Sequence, residues 1–167
     1  LGDVYKRQVV TAAAAIAFPA AGGLWILAEP VMAVLYGSCP EEATLAVASL
    51  RSLLPGMVCL CLTVPLCSIL QGMGKAILPV KCMLAGVAVK LIGNLVLIPR
   101  PAFCITGAGI STSACYLLLL LLILWNLRRI LGQSLGLLRP LFPVFLSAVC
   151  CTATACLLYT SDAADDS

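Results

Sequence analysis

Charged residues and histidine are scarce in this 167-residue chain. It has no histidine, and Lys, Arg, Asp and Glu together make up 10% of it, whereas apolar residues make up 62%. This composition lies far outside the range of soluble domains. It therefore excludes a soluble fold, and the missing histidine excludes any catalytic or metal site built on that residue.

The two ends of the chain differ from the rest. Residues 1–8 and 156–167 resemble translated sequencing-library adapters, which have to be set aside before the fold is considered. One permitted codon choice for Asp3–Gln8 has a reverse complement that, read one base along, encodes Cys156–Ser161. Two unrelated natural termini would very rarely match in this way, although a short basic start and an acidic tail are the alternative. We expect residues 9–155 to be the natural segment, with both true termini missing.

Acidic residues become rarer still once these ends are set aside. Eight of the ten Lys and Arg remain in residues 9–155 but only three of the seven acidic residues, so the net charge is +5 rather than +3. No Asp remains, which excludes an Asp proton relay or a carboxylate-rich metal site.

The nine remaining cysteines form no C-x-x-C pair and lie mostly in apolar runs, where cysteine acts as a small apolar residue. We expect no metal, no cofactor and no catalytic residue here.

Five apolar stretches approach or exceed the roughly 20 residues that a helix needs to cross a bilayer. Helix breakers separate them at Gly37–Pro40, Gly72–Gly74, Pro99–Pro101 and Gly132–Gly136. The sequence therefore predicts an all-α, multi-pass protein of the plasma membrane. The predicted helices cover about 9–36, 43–70, 76–98, 104–127 and 140–155, and the terminal segment cuts the last one short.

The connections between these helices differ in positive charge. The second and fourth carry five Lys and Arg residues, and the first and third carry only Arg100. Positive loops face the cytoplasm, so the first helix is predicted to run outward, with Glu41 and Glu42 at the exterior. The five positive residues are Lys75, Lys81, Arg128, Arg129 and Arg139.

Three ionisable residues fall inside the predicted membrane layer, where charge is costly and usually functional. Glu29, Arg51 and Lys90 each lie roughly 10–12 Å from the external end of a helix. Glu29 and Arg51 sit at matching depth on antiparallel neighbours, which makes an ion pair easy. Lys90 has no acidic partner, and its alternative role is to snorkel toward the head groups. Asn94 continues the face of Lys90, so Lys90, Asn94 and Arg51 are candidate contacts for an anionic substrate.

The remaining polar and small residues form two sets. Gln71, Gly72, Gly74 and Lys75 make a predicted cytoplasmic turn in which Gln71 anchors the loop. Small residues on the third and fourth helices are expected to allow close helix packing. These are Gly86, Gly93, Gly107, Gly109, Ser111 and Ser113.

Four segments together carry a family likeness: Gly23–Gly37, Ile69–Lys75, Lys90–Pro99 and Ile105–Thr112. They resemble the second half of the stage V sporulation protein B family. That family belongs to the polysaccharide-exporter branch of the superfamily that also contains lipid II flippases and multidrug and toxic compound extrusion antiporters. The resemblance implies a transporter of 12–14 helices in two lobes, with these helices drawn from the second lobe.

The resemblance implies a flippase or exporter, not an enzyme, that moves a lipid-linked oligosaccharide or cell-wall polysaccharide precursor by alternating access. Its expected partners are an anionic lipid-linked glycan, the lipid bilayer and the missing N-terminal lobe, with no nucleic acid. One alternative is a cation-coupled multidrug antiporter, which would need intramembrane carboxylates, and only Glu29 qualifies. Another is a membrane scaffold without transport, which would not need a polar stripe beside Lys90.

Overall fold

The computed structural model describes residues 2–37, 39–99, 104–131, 143–150 and 152–154. In this part of the chain the backbone is helical or forms short turns, and no strand occurs. The prediction of an all-α protein is confirmed. The helices are α1 (Gly2–Ile26), α2 (Ala28–Leu35), α3 (Pro40–Gly72), α4 (Ile77–Leu97), α5 (Cys104–Leu131) and the short α6 (Pro143–Thr154).

Four of these helices are long and apolar enough to cross a membrane. The apolar spans are Val4–Ile26, Glu41–Gly72, Ile77–Leu97 and Thr106–Leu131. The fifth predicted crossing corresponds to α6, which is apolar but shorter than a membrane span. Some of the predictions made from the sequence concern residues that the structure does not describe. These residues are Leu1, Arg100, Pro101, Gly132–Gly136, Arg139 and residues 155–167.

The first predicted helix, 9–36, is wrong as a single element, because it is divided at Leu27 into α1 and α2. Proline has no N–H, and its ring crowds the carbonyl four residues earlier, which here belongs to Ile26. Pro30 therefore cannot make the helical hydrogen bond to the Ile26 carbonyl at the point where α1 ends, whereas Pro19, Pro55 and Pro65 lie within continuous helices. Hydrogen bonds from the Leu27 N–H to Gly23 (2.9 Å) and from the Val31 N–H to Leu27 (3.0 Å) keep the chain direction nearly continuous. Helix α1 begins at Gly2, before the predicted start at residue 9. That residues 2–8 are adapter-derived stays a prediction.

The helices pack around α3 and α5. Helix α3 contacts α1 and α2 on one side and α5 on the other, while α4 packs mainly on α5 and barely touches α3. Helix α6 packs on α1 through an edge-to-face contact between Phe18 and Phe145, whose ring centroids lie 5.3 Å apart. The order across the bundle is therefore α1 with α2, then α3, α5 and α4.

The contact between α3 and α5 is close and polar. The Gly56 N–H donates to Ser113 Oγ at 3.2 Å, and Ser113 Oγ–H donates to the Ser52 carbonyl at 2.6 Å. A Cβ atom on Gly56 would lie only 2.7 Å from Ser113 Cα, and one on Gly109 would collide with the Ser52 side chain. Small residues thus bring the two backbones into hydrogen-bonding range.

A second stripe of small residues on α5 faces α4. A Cβ atom on Gly86 would meet Cys115 Sγ at 3.2 Å, and one on Gly93 would meet Ser111 Cβ at 2.8 Å. Gly107 lies against Leu97 in the same way. Residues two apart on a helix lie on opposite faces. Gly107 and Ser111 therefore face α4, whereas Gly109 and Ser113 face α3. The predicted packing role of the small residues is confirmed.

The apolar core lies toward the end of the bundle where α3 ends. Leu66, Leu70, Ile123 and Leu127 are almost fully buried there, beside Val10 of α1. Three cysteines serve as small buried apolar residues, as the sequence predicts. They are Cys67, Cys82 and Cys115.

The turn between α3 and α4 is set by one glycine. Gly74 has a φ of 75°, the left-handed conformation that other residues adopt only at a cost. Its N–H bonds to the Gln71 carbonyl at 2.9 Å, and the Lys75 N–H bonds to the Leu70 carbonyl at 3.1 Å. These two bonds form a Schellman motif, which satisfies carbonyls that the end of α3 would otherwise leave free.

Replacing Gly56 with Ala tests the contact between α3 and α5. The added Cβ atom would meet the Ser113 backbone, so we expect a loss of stability of about 1–3 kcal/mol. The measurement is the thermal unfolding midpoint of the full-length protein in detergent. Gly23→Ala is the matched control, since no atom lies within 4 Å of that position. An equal effect of both substitutions would contradict the packing role.

Replacing Gly74 with Ala tests the turn. The space around Gly74 is open, so the expected loss of about 1–2 kcal/mol comes from the backbone conformation alone. Gly72→Ala, also in open space but within the last turn of α3, should leave the same unfolding midpoint unchanged or raise it slightly. A neutral Gly74→Ala would show that the turn tolerates another backbone conformation.

Candidate functional site

Arg51 of α3 bridges the break between α1 and α2. Its Nη2 lies 3.0 Å from Oε1 of Glu29 in the first turn of α2. Its guanidinium carbon lies 5.9 Å from the ring centroid of Trp25 near the end of α1. Trp25 and Glu29 are one helical turn apart, on either side of Leu27. One cation therefore fixes both helix ends to α3, through an ion pair and a cation–π contact.

The ion pair is asymmetric in its exposure. The Arg51 side chain is 32% exposed and that of Glu29 is 70% exposed. Nε of Arg51 is buried and has no hydrogen-bond partner among the described residues. The guanidinium thus reaches outward from the helix packing to its partners, and the pair leaves no net charge at this position.

Asn94 is engaged by α5. Its Oδ1 accepts a short hydrogen bond from Ser111 Oγ–H, and the Ser111 hydroxyl also lies 3.0 Å from the Ala108 carbonyl. Ser111 is 3% exposed, so the contact lies inside the helix interface. The amide that sequence reasoning offered as a substrate contact therefore also holds α4 and α5 together.

Lys90 lies one turn before Asn94 on α4 and is half-buried. Among the residues that the structure describes, its ammonium has neither an ion-pair partner nor a hydrogen bond. Its neighbours along this stripe of α4 are Gly86 and Gly93, which pack on α5. Lys90 therefore flanks the α4–α5 contact as an unneutralised cation within an apolar span.

The structure does not bring all three intramembrane charges to one site. Arg51 faces α1 and α2, whereas Lys90 lies on α4, and α5 packs between α3 and α4. The predicted positive layer thus separates into a neutral pair, Glu29 with Arg51, and the single cation Lys90. Gln71 and Lys75 lie in the turn at the other end of α3, where their backbone groups cap the helix.

Sequence reasoning missed several polar residues of the interfaces. Ser49 and Ser52 precede Gly56 by seven and four residues, a pattern of small residues on one helix face that could have indicated the α5 contact. Asn126, within a long apolar run, donates from Nδ2 to the Leu122 carbonyl at 2.8 Å and lies 3.6 Å from Cys82 Sγ. No spacing signal marked Asn126 in advance.

Two large cavities flank α3. One of about 810 Å³ lies between α1 and α3 and has almost entirely apolar walls. The other, of about 730 Å³, lies between α2, α3 and α5 and includes the polar residues Glu42, Ser49 and Thr112. No group of His, Cys, Asp or Glu that could hold a metal ion occurs within the described part of the chain.

A double-mutant cycle tests the ion pair between Arg51 and Glu29. Arg51→Ala and Glu29→Ala should each lower the unfolding midpoint, and the double variant should lose less than the sum, with a coupling of about 1 kcal/mol. Glu41→Ala is the control, because Glu41 lies in the first turn of α3 and should combine additively with Arg51→Ala. Additive losses for Arg51 and Glu29 would contradict the ion pair.

Comparison with known proteins gives two matches. The model of the MatE family, a family of membrane transporters, matches residues 3–96. The chain is also 33% identical, over 142 residues, to a protein of Bacillus subtilis (strain 168) described as the uncharacterized membrane protein YabM. That alignment covers 84% of this chain and 25% of the relative, so the chain spans about a quarter of the relative's length. No solved structure matches.

The family match covers more than half of the chain and runs from α1 to the last turn of α4. Four apolar helices of membrane-spanning length agree with it. This chain is a multi-pass membrane protein that belongs to the MatE family.

Proposed function

We propose that this chain forms part of a flippase or exporter that moves a lipid-linked oligosaccharide or cell-wall polysaccharide precursor across the membrane by alternating access. In this proposal an N-terminal lobe of the same protein completes the transport path. Membership of a transporter family supports the export function. The anionic, lipid-linked character of the substrate is inferred from the charges of the described helices.

The unpaired Lys90 is the observation that carries the proposal. Glu29 and Arg51 neutralise each other, so of the three charges predicted to lie deep in the membrane layer, Lys90 is the one without a partner among the described residues. An unneutralised ammonium in an apolar layer is costly and favours an anionic group beside it. A pyrophosphate or phosphate linkage between lipid and glycan is such a group, and Lys binds phosphate as a point charge.

The antiporter alternative draws less support from the same residues. A cation-coupled antiporter needs a carboxylate that can exchange a proton or metal ion inside the membrane. Apart from Glu41 and Glu42 in the first turn of α3, Glu29 is the acidic residue in the described helices of the natural segment, and Arg51 engages it. A membrane scaffold that transports no substrate would have no need for an unpaired lysine at position 90.

Lys90→Ala in the full-length protein tests this function. The assay measures transport of a fluorescent lipid-linked oligosaccharide in proteoliposomes that contain equal amounts of folded protein. We expect about a tenfold loss, because one charged contact with the substrate is removed. Lys90→Arg keeps the charge and should retain most of the transport.

Lys81→Ala is the matched control, since Lys81 is an exposed lysine of the same helix about two and a half turns earlier. It should transport at the wild-type rate. Full transport by Lys90→Ala, or an equal loss in both alanine variants, would contradict a substrate contact at Lys90.

A further inference from the structure

Two neighbouring side chains of α4 carry hydrogen-bond donors without acceptors. Lys90 and Asn94 are half-buried and one helical turn apart, so they lie on the same side of the helix. Neither Lys90 Nζ nor Asn94 Nδ2 has a hydrogen-bond partner among the described residues. Both nitrogens are accessible, because the enclosed side-chain atoms without a partner in this part of the chain are Ser49 Oγ and Arg51 Nε. An acceptor from outside these helices can therefore reach both donors.

The other asparagine of the described spans satisfies its amide within its own helix. Asn126 Nδ2 donates to the Leu122 carbonyl, four residues earlier, at 2.8 Å. The equivalent acceptor for Asn94 is the carbonyl of Lys90, and Asn94 makes no such bond. Instead, the Ser111 hydroxyl of α5 holds Oδ1 of Asn94. This contact keeps the amide from turning back onto its own helix.

The proton of Ser111 determines which end of the Asn94 amide is free. The hydroxyl lies near two acceptors, Asn94 Oδ1 and the Ala108 carbonyl at 3.0 Å, and it can donate to one of them at a time. Donation to Oδ1, as in the structure, leaves the amide N–H groups free. Donation to Ala108 would let the serine oxygen accept from Nδ2 and would leave Oδ1 free. The first arrangement offers donors to an anion, whereas the second offers it an acceptor.

We propose that Ser111 is a positioning residue of the transport site, which holds the Asn94 amide so that Nδ2 donates to the anionic linkage of the substrate together with Lys90 Nζ. This inference rests on the proposed function and extends it from one charge to an oriented pair of donors. Ser111 is 3% exposed and enclosed between α4 and α5, so it does not touch the substrate. It acts on the substrate only through Asn94.

The two donors have complementary properties. A lysine ammonium binds phosphate as a point charge and imposes little direction. The planar amide of Asn94, with its oxygen fixed by Ser111, donates in one direction. Cβ atoms one helical turn apart are about 5–6 Å from each other, which lets both side chains reach oxygens of one phosphate linkage.

Asn94→Ala and Ser111→Ala in the full-length protein test the two roles. Transport of a fluorescent lipid-linked oligosaccharide is measured against its concentration in proteoliposomes with equal amounts of folded protein. Asn94→Ala should raise KM about tenfold, because a hydrogen bond to a charged group is lost. Ser111→Ala should raise KM about fivefold, because the released amide bonds to its own helix in most molecules and the competent fraction falls. The maximal rate should stay unchanged in both.

Two controls separate this role from loss of the helix contact. Ser113→Ala removes a hydroxyl of the same helix that bonds to α3, so it should lower the unfolding midpoint and leave KM unchanged. Asn94→Asp keeps an acceptor for Ser111 but replaces the N–H donors with a carboxylate. It should therefore raise KM at least as much as Asn94→Ala does, although the contact between α4 and α5 is retained.

A double-mutant cycle shows whether Ser111 acts through Asn94. In the Asn94→Ala background, Ser111→Ala should not raise KM further, because the amide that it orients is already absent. Three results would overturn the proposal. These are additive KM increases in the cycle, equal increases in Ser111→Ala and Ser113→Ala, and a wild-type KM in Asn94→Asp.

The outcome for Lys90 distinguishes this proposal from the proposed function. Loss of transport in Lys90→Ala with a wild-type KM in the Asn94 and Ser111 variants would overturn the positioning role and leave the function standing. Full transport by Lys90→Ala would contradict the function, and the positioning role with it.

Discussion

The close approach of α3 and α5 at Gly56 and Ser113 is the constraint on which the bundle depends. In a bilayer the lipid tails are as apolar as the helix surfaces, so burial of apolar area gives little drive for helices to associate. Close van der Waals packing and interhelical hydrogen bonds have to hold them together. The Ser113 hydroxyl, which accepts from one α3 backbone group and donates to another, meets both needs at once. The opposite stripe on α5 then holds α4, which has little contact of its own with α3.

Arg51 makes a different kind of connection. Pro30 removes a backbone hydrogen bond just beyond the apolar span Val4–Ile26, and a carbonyl that is left free is costly wherever water is scarce. A single long side chain compensates by contacting residues on both sides of the break, Trp25 and Glu29. The same contact neutralises Glu29, so of the three charges predicted within the membrane layer, Lys90 is left without a partner among the described residues. The local helix break and the charge balance of the site are therefore coupled through one residue.

Hydropathy predicts α3, α4 and α5 to within about four residues, because membrane helices are long apolar runs that end at glycine and proline. A hydropathy profile does not show that Pro30 lacks a backbone N–H group, so the division of the helix at Leu27 was not predicted. The glycines and serines of α5 were correctly assigned to packing, but their partners depend on which helices are neighbours in space. For the same reason, the sequence marked Asn94 as polar without revealing that Ser111 binds it. Ser49 looks like any other helical serine until the geometry shows that its hydroxyl has no acceptor.

The length of α3 has a consequence for the surrounding bilayer. Its 33 residues extend about 50 Å, whereas the hydrocarbon layer is about 30 Å thick and the 21 residues of α4 extend about 32 Å. A helix this long can lie beside α4 only if it tilts or projects its ends among the head groups. Thickening the bilayer with longer acyl chains should reduce the mismatch for α3 while it increases the mismatch for α4. A change in membrane thickness therefore has opposite effects on the mismatch of the two helices. Because α5 packs between them, it contacts both the helix whose mismatch falls and the helix whose mismatch rises.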